Sequence, residues 1–166
     1  MKKPKVIYLT QASLVAAMYI VLTHLSNLVG LANGAVQLRL SEALCVLPFF
    51  MPAAAIGLFV GCFISNLTTG AVIIDVILGS IATLIGGLIA SKIKNKWLVP
   101  LPTVISNAVI VPFVILYCYT EVINPQTYLI TFAGVLAGEV ISAYIFGTVL
   151  LLALEKKKGI FSIKRK

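Results

Sequence analysis

The chain has 166 residues, of which 60% are hydrophobic and 11% charged, with a mean hydropathy of +1.08 and a formal net charge of +8. A soluble fold of this size cannot hide that much apolar surface, so the composition points to an integral membrane protein, read as a single membrane domain over residues 1–166. The positive balance does not argue for nucleic acid, because no Lys or Arg cluster is interleaved with aromatic residues; anionic lipid headgroups are the simpler partner.

The charges carry the topology. Of thirteen Lys and Arg residues, three open the chain (Lys2, Lys3, Lys5), three lie mid-chain (Lys92, Lys94, Lys96) and six close it (Lys156, Lys157, Lys158, Lys164, Arg165, Lys166). Short basic loops stay in the cytoplasm, so both ends and the middle loop are predicted inside, with an even number of crossings on either side of Lys92. Arg39 is left as the one basic residue on the far side.

In chain order, the first helix is predicted over about 6–29, longer than the apolar run of a signal peptide and so uncleaved. Gly30 to Leu40, with Asn33, Gly34 and Gln37, reads as an external loop. Ser41 then looks like an N-cap, with Glu42 in the first turn where the helix dipole favours a negative charge. Pro48 and Pro52 break the next apolar stretch into short helices at about 41–50 and 52–66. Each is under-length for a full crossing, and broken backbone at membrane depth needs cover from protein or a water-filled cavity.

Thr68, Thr69 and Gly70 form an outer turn before a helix over 71–91, and Trp97 is a plausible interfacial anchor. Pro100 and Pro102 suit the start of a helix over 99–119, expected to kink near Pro112. Asn124 and Pro125 make the last outer turn, the final helix covers 127–155, and a cytoplasmic basic tail follows over 156–166. The expected fold class is therefore all-α, with six transmembrane helices.

Ionisable groups inside spanning segments cost roughly 2.5–3.5 kcal/mol each on insertion and usually mark a site. Glu139 falls about 11 residues into the last helix, roughly 16 Å deep, and is the leading candidate for a ligand contact. Asn66 and Asp75 flank one outer turn. Asn107 is either packing glue or a site residue. Arg39 and Glu42 either form an external ion pair and cap or close the mouth of a cavity. Glu121 and Glu155 read as solvated, and His24 as a packing residue. Tyr117, Tyr119, Tyr128 and Phe132 form an aromatic belt or stack on a flat ligand. Cys45, Cys62 and Cys118 are too widely spaced for a metal site, and no metal or other cofactor is implied. The spaced small pairs Ala12/Ala16, Gly57/Gly61 and Gly134/Gly138 allow close helix approach. No Walker A, zinc-protease or nucleophile-elbow motif is present, so no hydrolytic activity is expected.

Gln37 to Leu44, reading Q-L-R-L-S-E-A-L, resembles the queuosine-precursor transporter family QueT, substrate-binding S components of energy-coupling factor (ECF) transporters. The likeness continues through Leu47-Pro48-Phe49-Phe50, Gly57 to Cys62, Asp75 to Ser80 and Ala137 to Ser142. It implies six helices with cytoplasmic ends and capture of a 7-deazaguanine or queuine from outside. The implied partners are a transmembrane coupling protein (EcfT) and two ATPase subunits, with docking through an A-x-x-x-A surface matched by Ala12 and Ala16. The implied ligand offers adjacent N–H donors that one carboxylate can accept in a bidentate manner, a role given to Glu139. Asp75 would meet an exocyclic aminomethyl group, Asn66 and Asn107 would add hydrogen bonds, and Arg39 with Glu42 would order the outer loop as a lid. The alternatives are a self-sufficient small carrier or channel, and an S component for another vitamin or nucleobase.

Overall fold

A computed structural model describes residues 3–31, 37–119 and 124–156, with side chains from Lys5 onward. The regular elements among the described residues are all helical, without a strand. Helix α1 (Lys3–Leu28) is followed by a ten-residue 3₁₀ segment (Leu40–Phe49), α2 (Ala53–Thr68) and α3 (Ile73–Ala90). A 3₁₀ turn (Lys96–Leu98) leads into α4 (Leu101–Tyr119). The chain then runs through α5 (Pro125–Glu139), a π-helical segment (Val140–Phe146) and α6 (Gly147–Glu155) without a break.

Four stretches are long and apolar enough to cross a membrane: Lys5–Leu28, Ile73–Ala90, Lys96–Tyr119 and Pro125–Glu155. The 3₁₀ segment and α2 are apolar but shorter. Proline explains the division, since Pro48 and Pro52 cannot donate to a helical ladder and the chain resets between Phe50 and Ala53. Pro112, by contrast, sits inside an unbroken α4.

Successive helices pack side by side, α1 on α2, α2 on α3, α3 on α4 and α4 on α5. The 3₁₀ segment lies among them, touching α1, α2, α3, α6 and the π-helical segment, and seven of its residues from Ser41 to Pro48 are buried. Irregular backbone is thus largely covered by protein, the condition for keeping it at membrane depth. Ser41 is not an N-cap here. The segment begins one residue earlier, behind Arg39, and the buried Ser41 hydroxyl accepts from Thr23 Oγ1 at 2.9 Å.

Small residues bring α1 onto α2. A Cβ on Gly57 would overlap the Ala12 carbonyl oxygen, and one on Gly61 would lie 2.7 Å from Tyr19 Cβ and 3.0 Å from the Ala16 carbonyl oxygen. Ala12 and Ala16, expected to serve a partner protein, are 8% and 7% exposed because α2 already covers them. Such close approach is how membrane helices gain packing without a hydrophobic drive.

Two sets of contacts define the ends of the bundle. At one end Lys96 Nζ pairs with Glu155 at 2.8 Å, so Glu155 is an ion-pair partner rather than a merely solvated helix end. At the other, His24 Nε2 lies 3.0 Å from Thr68 Oγ1, and Tyr119 accepts from Val72 N at 3.0 Å. Following each helix from that second end returns Lys5, the Lys92–Lys96 loop and Lys156 to one side of the bundle. Helix α5 starts with a capping box, in which Asn124 Oδ1 accepts from Thr127 N at 2.7 Å and Thr127 Oγ1 from Asn124 N at 3.1 Å.

Candidate functional site

Two cavities lie in line at the His24–Tyr119 end. The outer one, ≈ 700 Å³, is a vestibule lined by His24, Asn27, Gln37, Arg39, Asp75 and Tyr119 among others. The inner one, ≈ 20 Å³, is lined by Glu42, Thr83, Asn107, Val135 and Glu139, and holds about one water. Gln37, Arg39 and Val111 line both and form the partition between them.

The inner cavity is rich in acceptors. Glu42 and Glu139 are 2% and 8% exposed, on the 3₁₀ segment and at the end of α5. Each uses one carboxylate oxygen: Tyr19 Oη donates to Glu42 Oε1, and Asn107 Nδ2 donates to Glu139 Oε1 at 2.9 Å. The second oxygen of each, Glu42 Oε2 and Glu139 Oε2, is buried with no hydrogen-bond partner among the described residues. Buried polar atoms are nearly always paired, and an orphaned carboxylate oxygen is expensive. Both glutamates line the same small cavity, and N–H donors are the groups that would satisfy such oxygens.

Arg39 is held from two sides. Its backbone N–H donates to Ser142 Oγ at 3.1 Å, and its guanidinium Nη1 lies at 3.5 Å from Asn66 Oδ1, the edge of hydrogen-bonding reach. Asn66 in turn donates to Cys62 Sγ at 3.5 Å. The strand of chain carrying Arg39 is seated by Gly138, because a Cβ there would overlap the Gln37 carbonyl oxygen. Gly138→Ala is therefore expected to cost about 1–3 kcal/mol as backbone is forced apart, read as earlier thermal unfolding in detergent.

Asp75 stands apart from the two glutamates, lining the vestibule and accepting from Tyr119 Oη at 3.3 Å. The six polar residues expected at a site thus divide into an inner set (Glu42, Asn107, Glu139), a partition (Arg39, backed by Asn66) and an outer carboxylate (Asp75). His24 does more than pack, since it lines the vestibule as well. Tyr119 also faces the vestibule, whereas Tyr117 is 71% exposed on the outside. Tyr128 stacks on Phe132 at 6.3 Å between centroids and packs against Phe113 at 4.8 Å. Glu121 lies outside the described residues. Cys45 and Cys62 are buried free thiols, and among the described residues no His, Cys, Asp or Glu group is arranged to hold a metal.

Tyr19, Thr83, Gln37 and Ser142 were not among the site residues expected from sequence. Tyr19 carried the clearest missed signal, a phenol at mid-helix rather than at an interface, where its hydroxyl needs a buried partner. The π-helical segment starting directly after Glu139 is a second feature that apolar patterning conceals, and such segments gather at functional sites.

A bundle with four stretches long and apolar enough to span, and a polar cavity inside it, defines a multi-pass protein of the cell membrane. A family model described as the QueT transporter matches residues 9–156. The chain belongs to the QueT transporter family. A queuosine precursor transporter QueT from Lactococcus lactis subsp. cremoris (strain MG1363) is 36% identical over 101 residues, covering 58% of this chain and 59% of that relative. The match thus spans less than two thirds of the relative's length. No solved structure matches the chain.

Proposed function

We propose that this chain is the substrate-binding S component of an ECF-type ABC transporter and captures a queuosine precursor, a 7-deazaguanine or queuine, for ATP-driven uptake. The observation that carries this reading is the pair of unpartnered oxygens, Glu42 Oε2 and Glu139 Oε2, on two glutamates that line one cavity with Asn107 and Arg39. A guanine-like edge brings adjacent N–H donors, and donors to a carboxylate make the stronger class of hydrogen bond. The name of the Lactococcus relative favours the same class of ligand.

The vestibule is of the size that binds small molecules, whereas the inner cavity admits about one water. A base entering from the vestibule therefore displaces the Gln37–Arg39 partition before its edge meets Glu139. Asp75 is left at the rim to accept an exocyclic aminomethyl group. Asp75→Asn is expected to weaken binding of an aminomethyl deazaguanine by about tenfold and leave a cyano analogue within about twofold. Titration of both ligands against both proteins checks this, and equal losses for the two ligands would remove Asp75 from that role.

With Lys5, Lys92, Lys94, Lys96 and Lys156 at one end of the bundle, we place that end in the cytoplasm with six crossings, so the vestibule opens outward. Energy comes from partners, a coupling protein (EcfT) and two ATPase subunits, since the sequence holds no Walker A motif. Docking through Ala12 and Ala16 requires α2 to yield its hold on α1; the outward, exposed Ser13 and Ala17 require no such rearrangement. Binding is tested by titrating the purified chain with queuine, the aminomethyl and cyano deazaguanines, and guanine. Uptake into vesicles is expected only when the coupling protein and ATPases are co-reconstituted. Uptake by this chain alone would make it a self-sufficient carrier and end the S-component reading.

A further inference from the structure

A third concavity, unrelated to the vestibule and the inner cavity, opens on the surface between α3 and α4. It encloses ≈ 530 Å³ and is lined by apolar side chains that include Ile85 and Ile89 of α3, Leu101, Ile105 and Val109 of α4, and Ile93 in the loop between them. Its origin is local. Gly86 lets Thr103 come close, a Cβ there falling 2.7 Å from Thr103 Cα, so the two backbones meet while the flanking isoleucines stand off as walls.

The groove offers nothing to a polar ligand. Ser106 contributes a hydroxyl to the lining, but that hydroxyl donates inward to Ala82 O at 2.9 Å. From Leu101 to Val109 the groove runs about 12 Å along α4, close to the depth of one leaflet of a core about 30 Å thick. Its dimensions suit a hydrocarbon chain lying along the helix.

Charge selects the occupant. Ile93 of the lining lies in the loop between α3 and α4, where Lys92 and Lys94 flank it in sequence; both lysines are exposed and neither has an ion-pair partner among the described residues. Lys96 is engaged by Glu155 and so is not free in the same way. Trp97, half exposed, marks the same end as headgroup depth. An apolar channel about one leaflet deep, with two exposed lysines flanking its Ile93 in sequence, matches the amphipathic form of a phospholipid with an anionic headgroup.

We infer that the α3–α4 groove is a binding site for an anionic phospholipid, with an acyl chain along Ile85, Ile89 and Ile105 and the headgroup phosphate on Lys92 and Lys94. The chain carries its own reporter, because Trp97 is its single tryptophan and lies beside Leu98 of the groove lining. The full chain is reconstituted in phosphatidylcholine bilayers containing a small, equal mole fraction of either brominated phosphatidylglycerol or brominated phosphatidylcholine, and Trp97 quenching is compared. The expected result is a preference for phosphatidylglycerol of about fivefold. Lys92→Gln with Lys94→Gln brings the ratio to about one, while Lys5→Gln, which removes a charge from another cluster, leaves it unchanged. Val109→Phe, which narrows the groove without touching the lysines, lowers quenching by the anionic lipid. Equal quenching by the two lipids in the wild type would leave the groove to a partner's helix and overturn the assignment. A preference that survives the double lysine replacement would overturn it as well.

Discussion

Glu139→Gln is expected to lower affinity for a 7-deazaguanine by about 10- to 100-fold, the loss of one hydrogen bond to a charged group worth about 1.5–3 kcal/mol. The substitution is informative because it keeps shape and one partner. The amide oxygen of a glutamine still accepts from Asn107 Nδ2, which now lies 2.9 Å from Glu139 Oε1. What changes is the other position, where the unpartnered Oε2 becomes an NH₂ group that cannot accept from the ligand's ring edge. Stability should move the opposite way. A buried carboxylate oxygen without a partner is costly in the empty protein, so its neutral isostere is expected to unfold at the same temperature or higher. Titration calorimetry and thermal unfolding of one preparation read both effects. Affinity unchanged within about twofold would exclude Glu139 from the ligand's edge, and a parallel fall in both measurements would make its role structural.

The second large effect falls on the fold. In Gly57→Leu the new Cβ would overlap the Ala12 carbonyl oxygen and sit 2.9 Å from Val15 Cβ, neither of which is the free end of a flexible side chain. Helix α1 has to move away from α2, at an expected cost of about 1–3 kcal/mol or more, and it carries Tyr19 with it. Tyr19 Oη is the donor to Glu42 Oε1, so the inner cavity is disturbed at a distance and ligand affinity falls together with stability. Ser13→Leu, on the exposed side of α1, is the control expected to change neither. A Gly57→Leu protein that unfolds at the wild-type temperature would show that the α1–α2 contact is not a determinant of stability.

The parts of the site that were legible in sequence were the costly ones. Glu139, Asn107 and Asp75 stand out because ionisable or amide groups in apolar segments need a reason, and each of them does line a cavity or bond to a residue that does. Tyr19 and Thr83 were not legible, because a phenol or a hydroxyl is common in membrane helices and only its partner gives it meaning. Ala12 and Ala16 were legible as a close-approach surface but not as to what approaches; the answer within this chain is Gly57 and Gly61. Likewise the prolines announced a break after Pro48, yet not that the residues before it would wind as a 3₁₀ segment enclosed by the other helices.

The chain's amino-acid order alone determines that it belongs in a membrane, where its helices divide and which basic groups gather, because hydropathy, proline geometry and charge act locally along the chain. Only the tertiary structure decided that Glu42 and Glu139, 97 positions apart, share one cavity, that Arg39 stands between it and the vestibule, and that Asp75 lies outside. Those juxtapositions follow from how closely helices approach, which depends on glycines such as Gly57, Gly61 and Gly138 meeting particular backbone atoms of distant segments. Local pattern carries no information about which distant backbone a glycine will meet, so the site became visible only once the helices were packed.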